Sequence, residues 1–138
     1  MLITSDAVEY VRKNPQLFFY GGCYSHHEIL TKVVMDAVSL GCSSLVVEKQ
    51  FDFWIIASNK NWVGINNPHG LEKIFSRLTP NPNAGQNASR SEILLNAFID
   101  NVVFMSKTQI FFSKGNIQHD LLTNIKSNIA KNYILAFS

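Results

Sequence analysis

Ser44-Leu45-Val46-Val47-Glu48-Lys49-Gln50-Phe51-Asp52-Phe53-Trp54-Ile55-Ile56 is where the apolar pattern leaves helical spacing for strand spacing. β-Branched and aromatic side chains crowd Ser44 to Glu48 and again Phe51 to Ile56, a composition that suits a pleated, half-buried surface. Two such runs so close together predict a hairpin with its turn near Lys49-Gln50. Upstream the period is helical. Ile29, Leu30, Val33, Val34, Ala37, Val38 and Leu40 form a broad stripe after Ser25, with Glu28 in capping-box position. Gly41 suits the C-terminal cap. Ahead of that helix, Ser5 is expected to cap a short helix carrying Val8 and Val11. Pro15 disfavours helical geometry at Asn14, so this helix should stop near Lys13. Leu17-Phe18-Phe19-Tyr20, closed by Gly21-Gly22, reads as a buried extended connector.

Downstream of the hairpin, residues 59–68 read as a loop, and Leu71, Ile74, Phe75 and Leu78 as a short helix ending before Pro80. Residues 79–90 have no apolar periodicity and read as a mobile loop. Ile93, Leu94, Ala97 and Phe98 predict a helix from Ser91 to Ile99. Val102 to Met105 and Gln109 to Ser113 predict a second pair of strands, followed by a Lys114-Gly115-Asn116 turn. Leu121, Leu122, Ile125 and Ile129 mark a last amphipathic helix, and Tyr133 to Phe137 a last strand. The order predicts an α+β, two-layer sandwich: a mostly antiparallel, mixed sheet with helices on one face.

Composition narrows the function classes. The 138 residues are 46% hydrophobic and 12% aromatic, enough for one core, and no linker divides the chain. Residues 1–138 are therefore expected to form a single domain. Charged residues are 16% and the formal charge is +2, too even a balance for a nucleic-acid surface. Lys107, Lys114, Lys126 and Lys131 are spaced as solvated faces, not as a basic stripe between stacking rings. No window resembles a membrane span, and the first residues lack the pattern of a signal peptide, so a cytoplasmic protein is expected. Cys23 and Cys42 then read as reduced thiols. Fourteen Asn against three Arg fit the AT-rich coding of a bacterial gene.

Candidate reaction centres are sparse. Cys23, His26, His27, Cys42 and His69 contain one Cys-x-x-His spacing without the second ligand pair that a zinc site needs. Cys23, His27 and Asp36 lack any local signature of an activated thiol. No catalytic, cofactor or metal residue is assigned. Outward members of the aromatic runs, among them Tyr20, Trp54 and Phe112, would instead build an apolar patch of the kind found at protein interfaces.

Asp6-Ala7-Val8-Glu9-Tyr10-Val11-Arg12-Lys13-Asn14-Pro15, an aromatic run and Gly21-Gly22 resemble the opening of the gyrase B and topoisomerase ATPase domain. His26-His27 to Gly41 is similar to that family's nucleotide-binding helix. Asn96-Ala97-Phe98 and Phe111-Phe112-Ser113-Lys114-Gly115 track a later helix and hairpin. The resemblance covers roughly residues 5 to 116 and implies a Bergerat-type (GHKL) fold with degenerate nucleotide motifs. The family's helix carries Glu-x-x-x-Asn, the Glu as base for water and the Asn on Mg²⁺. Matching the Val-Val-x-x-Ala frame puts Lys32 and Asp36 at those positions, and matching the His-His pair puts Thr31 and Met35 there. A protonated lysine takes no proton from water, and Lys32 reads as the ion-pair partner of Glu28. Asp36 retains the chemistry of a Mg²⁺ ligand. Where the family has Asp-x-Gly-x-Gly, this chain has Ser58-Asn59-Lys60-Asn61-Trp62. Where the family has a glycine-rich lid, it has Gly85-Gln86-Asn87-Ala88-Ser89-Arg90.

The expectation is a non-catalytic protein-binding module on a GHKL-like, pseudo-ATPase scaffold. It would act as an immunity or antitoxin protein that neutralises a toxin encoded by the adjacent gene. The alternative is a nucleotide-binding member of the family with an altered Mg²⁺ and phosphate site. Loops on a rigid scaffold commonly carry recognition, so Lys60, Asn61, Trp62, Asn66, Asn83, Gln86 and Arg90 are the expected partner-binding residues.

Overall fold

The computed structural model describes residues 6–65, 70–71, 73–81, 83 and 89–138. Helix α1 (Ala7–Lys13) is capped by Asp6, which accepts the Glu9 amide at 2.9 Å. Ser5, the expected cap, lies outside the described residues. Pro15–Leu17 form a 3-10 turn, and the connector that follows is only partly interior. Phe19 is buried, while Leu17 is 59% and Tyr20 96% exposed, so the run does not bury as a unit.

Helix α2 (His26–Ser39) begins at Ser25, whose hydroxyl accepts the Glu28 amide. Glu28 does not close the capping box. Its two oxygens accept from the Tyr20 amide at 3.1 and 3.2 Å, which ties the connector to the helix. Ile29, Val33 and Ala37, on one side of α2, are buried.

Strands β1 (Val46–Gln50) and β2 (Phe53–Ser58) form the predicted hairpin. The turn sits two residues later than expected, at Phe51-Asp52, both with positive φ. Register explains the shift: Gln50 pairs with Phe53, so only two residues remain for the turn, and a two-residue turn of this hand needs left-handed backbone. Lys73–Ser76 form a short 3-10 segment, followed by α3 (Glu92–Phe98), β3 (Val102–Ser106), β4 (Ile110–Lys114), α4 (His119–Asn128) and β5 (Tyr133–Phe137). Among the described residues five strands lie in the order β1-β2-β5-β3-β4, each paired antiparallel with its neighbours.

The α+β class and the antiparallel sheet are as the sequence predicts. The number of covered faces differs in one detail. Ile56, Phe104, Leu135 and Phe137 belong to the core shared with α1, α2 and α3. Their strand neighbours Ile55, Ala57, Val103, Met105, Ile134 and Ala136 belong to a second core with Leu122, Ile125 and Ile129, in and just after α4. Successive strand residues point to opposite faces. Consecutive apolar residues in β2, β3 and β5 therefore need cover on both sides, and α4 supplies the second cover.

Two lysines expected on solvated faces do structural work. Lys114 Nζ donates to the carbonyls of Asn96 and Ile99 at 2.6 and 2.7 Å, at the end of α3. Lys107 Nζ donates to the carbonyls of Lys126 and Ile129 at the end of α4. A cation near the C-terminal carbonyls of a helix complements its dipole. Among the described residues no helix is long and apolar enough to cross a membrane.

Candidate functional site

Residue 36 is a carboxylate on the otherwise apolar inner side of α2, and burying it requires donors. The chain supplies them from the start of α3. Asp36 Oδ2 accepts the Ser91 amide at 2.7 Å, and Oδ1 accepts Asn81 Nδ2 at 3.3 Å. Asp36 thereby latches α2 to the ends of the segment between Pro80 and Ser89, which pair in an isolated antiparallel bridge. Burial raises its pKa above the ordinary carboxylate value, and the Ser91 contacts, the Arg90 charge and Asn81 offset only part of this.

Behind Asp36 lies a second buried group. Arg90 is 1% exposed. Its Nη1 donates to the Ile65 carbonyl at 2.8 Å, and Nη2 to the carbonyls of Trp62 and Val63 at 3.3 Å each. Nη2 also meets Glu92 Oε2 at 2.6 Å in an ion pair whose two side chains are both buried. Complete burial raises the Glu92 pKa, Arg90 opposes that rise, and Asp36 adds to it. Arg90 thus clamps the 62–65 turn onto the start of α3.

In front of this network is an open cleft of 490 Å³ between the connector, α2 and the entry to α3, within the size range of ligand pockets. Its floor includes the buried residues Asp36, Arg90, Ser91, Ile93 and Leu94. Its rim includes Leu17, Tyr20, Thr31 and Met35, which are exposed, and Glu28 and Lys32, which lie 3.7 Å apart as an i,i+4 pair. Lys32 Nζ stands 5.4 Å from the centre of the Tyr20 ring, a cation–π distance. A smaller hollow of 200 Å³ shares Leu17, Phe18, Tyr20, Glu28 and Lys32 with the cleft.

The expected partner-binding residues divide. Lys60 and Asn83 are exposed, and Asn61 is half-buried with its side-chain Oδ1 accepting the Gly64 amide. Asn66 and Gln86 lie outside the described residues, as do Gly85 of the lid-like stretch and His69 of the metal set. Trp62 and Arg90 correct the expected exposure: both are buried, Trp62 in the core and Arg90 on the floor of the cleft. Trp62 packs edge-on against Phe104 at 5.8 Å because the loop folds inward over the sheet. Arg90 is drawn in by the turn carbonyls and Glu92, which together satisfy a charge that solvent would otherwise hold. Among the described members of the expected set, Arg90 alone lines the cleft.

Leu17 and Met35 on the rim were not among the expected contacts, whereas Tyr20 was expected as an outward aromatic of an interface patch and is exposed. For Met35 a signal was present, since it lies out of phase with Ile29, Val33 and Ala37 on α2. Leu17 carries no such signal in a run of four apolar residues. Cys42 is buried and Cys23 exposed. The chain matches no family model, no curated protein and no solved structure.

Proposed function

We propose that this chain is a non-catalytic, cytoplasmic protein-binding module of the immunity or antitoxin type, neutralising a toxin from an adjacent gene. Its scaffold is read as a degenerate GHKL-like domain, resembling the gyrase-type ATPase. The observation that carries the binding reading is the rim of the cleft: Tyr20 is 96% exposed beside Leu17 at 59% and Met35 at 58%. Large apolar side chains grouped around a concavity are typical of a surface that another protein covers. The polar groups of the resemblance are occupied elsewhere. Lys32 faces Glu28 on the rim, and Asp36 is spent holding Ser91 and Asn81.

The test is co-purification of the chain with the product of the neighbouring gene, followed by Tyr20→Ser and Met35→Ser. Both side chains are mostly in solvent, so both variants should keep the wild-type unfolding midpoint while weakening the complex at least tenfold. Complexes of undiminished affinity would remove the rim from the interface, and no complex would remove the reading.

A second reading, nucleotide binding at an altered Mg²⁺ and phosphate site, draws on Lys32, Asp36 and Ser91 lining the same cleft. Calorimetry with millimolar ATP–Mg²⁺ separates the two. Saturable heat lost in Asp36→Ala supports the nucleotide reading, and no heat supports protein binding.

A further inference from the structure

Among the described residues the sheet ends in two edge strands, β1 and β4. They are not alike. β4 carries a bulge where its pairing with β3 shifts between Phe104 and Met105, and a bulge blunts an edge against further pairing. β1 pairs with β2 in unbroken register from Val46 to Gln50. Gln50 and Phe53 close a two-residue turn, so Gln50, Glu48 and Val46 bond to β2, while Val47 and Lys49 turn their amides and carbonyls outward. No backbone group among the described residues meets those outward groups. Lysine commonly guards such an edge, but the Lys49 ammonium stands 5.7 Å from the centre of the Trp54 ring, over its own sheet.

Charge is unevenly placed along β1. At its start, Lys131 Nζ donates to Ser44 Oγ at 3.0 Å, and Lys60 Nζ lies against Gly41. Toward its hairpin end are Glu48 and the exposed Asp52. None of these four groups has an ion pair among the described residues. An antiparallel neighbour of the same sequence brings the start of one strand to the hairpin end of the other, and so sets cations against carboxylates on both sides of a two-fold axis. Keeping each face of the sheet continuous across that axis places the axis at a residue of β1. At Glu48 or Lys49 it would oppose like charges, and at Gln50 it would bring Glu48 opposite Asp52. At Val46 it would leave most of β1 opposite the loop that precedes it. At Val47 it pairs Val46 with Glu48 of the second copy and Ser44 with Gln50 of the second copy, which brings Lys131 beside that Glu48.

Apolar surface follows the same edge. Val47 is 43% exposed and pairs with Ile56, on the face that α2 covers. Trp62 and Phe75 pack on Phe104 of β3 and Phe112 of β4, while His26 at the start of α2 packs on Phe137 of β5 and feels the charge of Lys49. α2 therefore lies toward the β1 side. Its flank opposite Glu28, Lys32 and Met35 of the cleft carries Leu30, Val34 and Val38 at i, i+4 and i+8, and Val38 is 50% exposed.

We propose that two copies of this chain join β1 to β1 about a two-fold axis at Val47, making one antiparallel sheet of their two five-stranded sheets, with the α2 flanks above the seam. The dimer does not depend on the protein-binding reading. The cleft lies on the other flank of α2 and stays open in both copies.

The test is sedimentation equilibrium of the full chain from micromolar to millimolar concentration, with amide exchange of the ¹⁵N-labelled chain at the upper end. The mass should rise to twice that of one chain, and the Val47 and Lys49 amides should exchange as slowly as those of Glu48 and Gln50. Val47→Lys puts two ammonium groups together at the axis and should weaken the dimer about tenfold or more. Glu48→Lys and Lys131→Glu should each weaken it about tenfold, since each acts twice in a symmetric pair. The two together should recover most of that loss, because the ion pair re-forms with its signs exchanged. If Val47→Lys fails to fold, the exchange of the wild-type amides and the charge-exchanged pair decide.

The mass of one chain throughout the range overturns the proposal. So does a dimer that Val47→Lys leaves intact, or a double variant no tighter than either single one. Protection of the Val47 and Lys49 amides that appears only on adding the product of the neighbouring gene assigns the edge to that partner, and overturns the proposal too. A dimer with no co-purifying partner removes the toxin-neutralising reading and leaves the dimer standing.

Discussion

Replacing Arg90 by Met keeps the apolar stem of the side chain and removes its guanidinium, with the charge and the donors. Three carbonyls, those of Trp62, Val63 and Ile65, then lose a donor at 3.3, 3.3 and 2.8 Å. Glu92, 1% exposed, loses the counter-ion held at 2.6 Å. Breaking one side of a buried ion pair costs about 3–5 kcal/mol, because the surviving charge is stranded. Protonation of Glu92 relieves part of this, and the freed carbonyls add to it, so about 4 kcal/mol is expected near neutral pH. That is a large share of the roughly 5–15 kcal/mol that holds a domain of this kind folded. Urea unfolding followed by the fluorescence of Trp54 and Trp62 and by circular dichroism gives the measurement, and the variant should show a midpoint far below the wild type. The companion Glu92→Met in the Arg90→Met background removes the stranded charge. The double variant should be more stable than Arg90→Met alone by about 1–2 kcal/mol. A single-variant loss below about 1 kcal/mol would show that Arg90 does not clamp the 62–65 turn. A double variant no better than the single would show that Glu92 is not held ionised by Arg90.

Other perturbations read other parts of the structure. Burial raises the Asp36 carboxyl, so the folded chain keeps a proton that the unfolded chain releases. The stability this contributes is full below the ordinary carboxylate range and is lost as pH rises through the raised value. Against wild type, the urea midpoint of Asp36→Asn should therefore climb as pH rises above the ordinary carboxylate range, and a flat difference would refute the shift. Exchanging Phe51-Asp52, with φ of 53° and 66°, for Asn-Gly should stabilise the hairpin by about 1 kcal/mol, seen as a higher urea midpoint at unchanged slope. Gly115 has φ of 89°, and a Cβ there would press on Asn101 Oδ1 and the Asp100 carbonyl. Gly115→Ala should cost about 2 kcal/mol by the same assay, and a neutral result would place the β4–α4 turn differently.

Much of the architecture is legible because local signals and burial agree. The helical stripe of α2, the capping Ser25 and the strand composition from Ser44 to Ile56 each state what the fold uses. The hairpin turn was harder to place, because Phe51 and Asp52 lack the Asn-Gly chemistry that announces a left-handed turn, and only the Gln50–Phe53 pairing sets it. The candidate site was less legible. Arg90 and Asp36 look like loop and helix polar groups in a linear chain. Their burial depends on carbonyls and amides contributed by segments 25 to 55 residues away in sequence.

The sequence by itself determined the periodicities, and therefore which segments are helix or strand, since backbone geometry turns spacing directly into faces. It also determined the shortage of charge that any functional surface here must work with. Only the tertiary structure decided that α4 covers the second face of the sheet and that Trp62 and Arg90 face inward. It also decided that Asp36 is buried against the Ser91 amide and the Asn81 side chain. The physical reason is common to all three. Burial and pairing are properties of what packs around a side chain, and the partners of Trp62, Arg90 and Asp36 come from distant parts of the chain that no local spacing brings together.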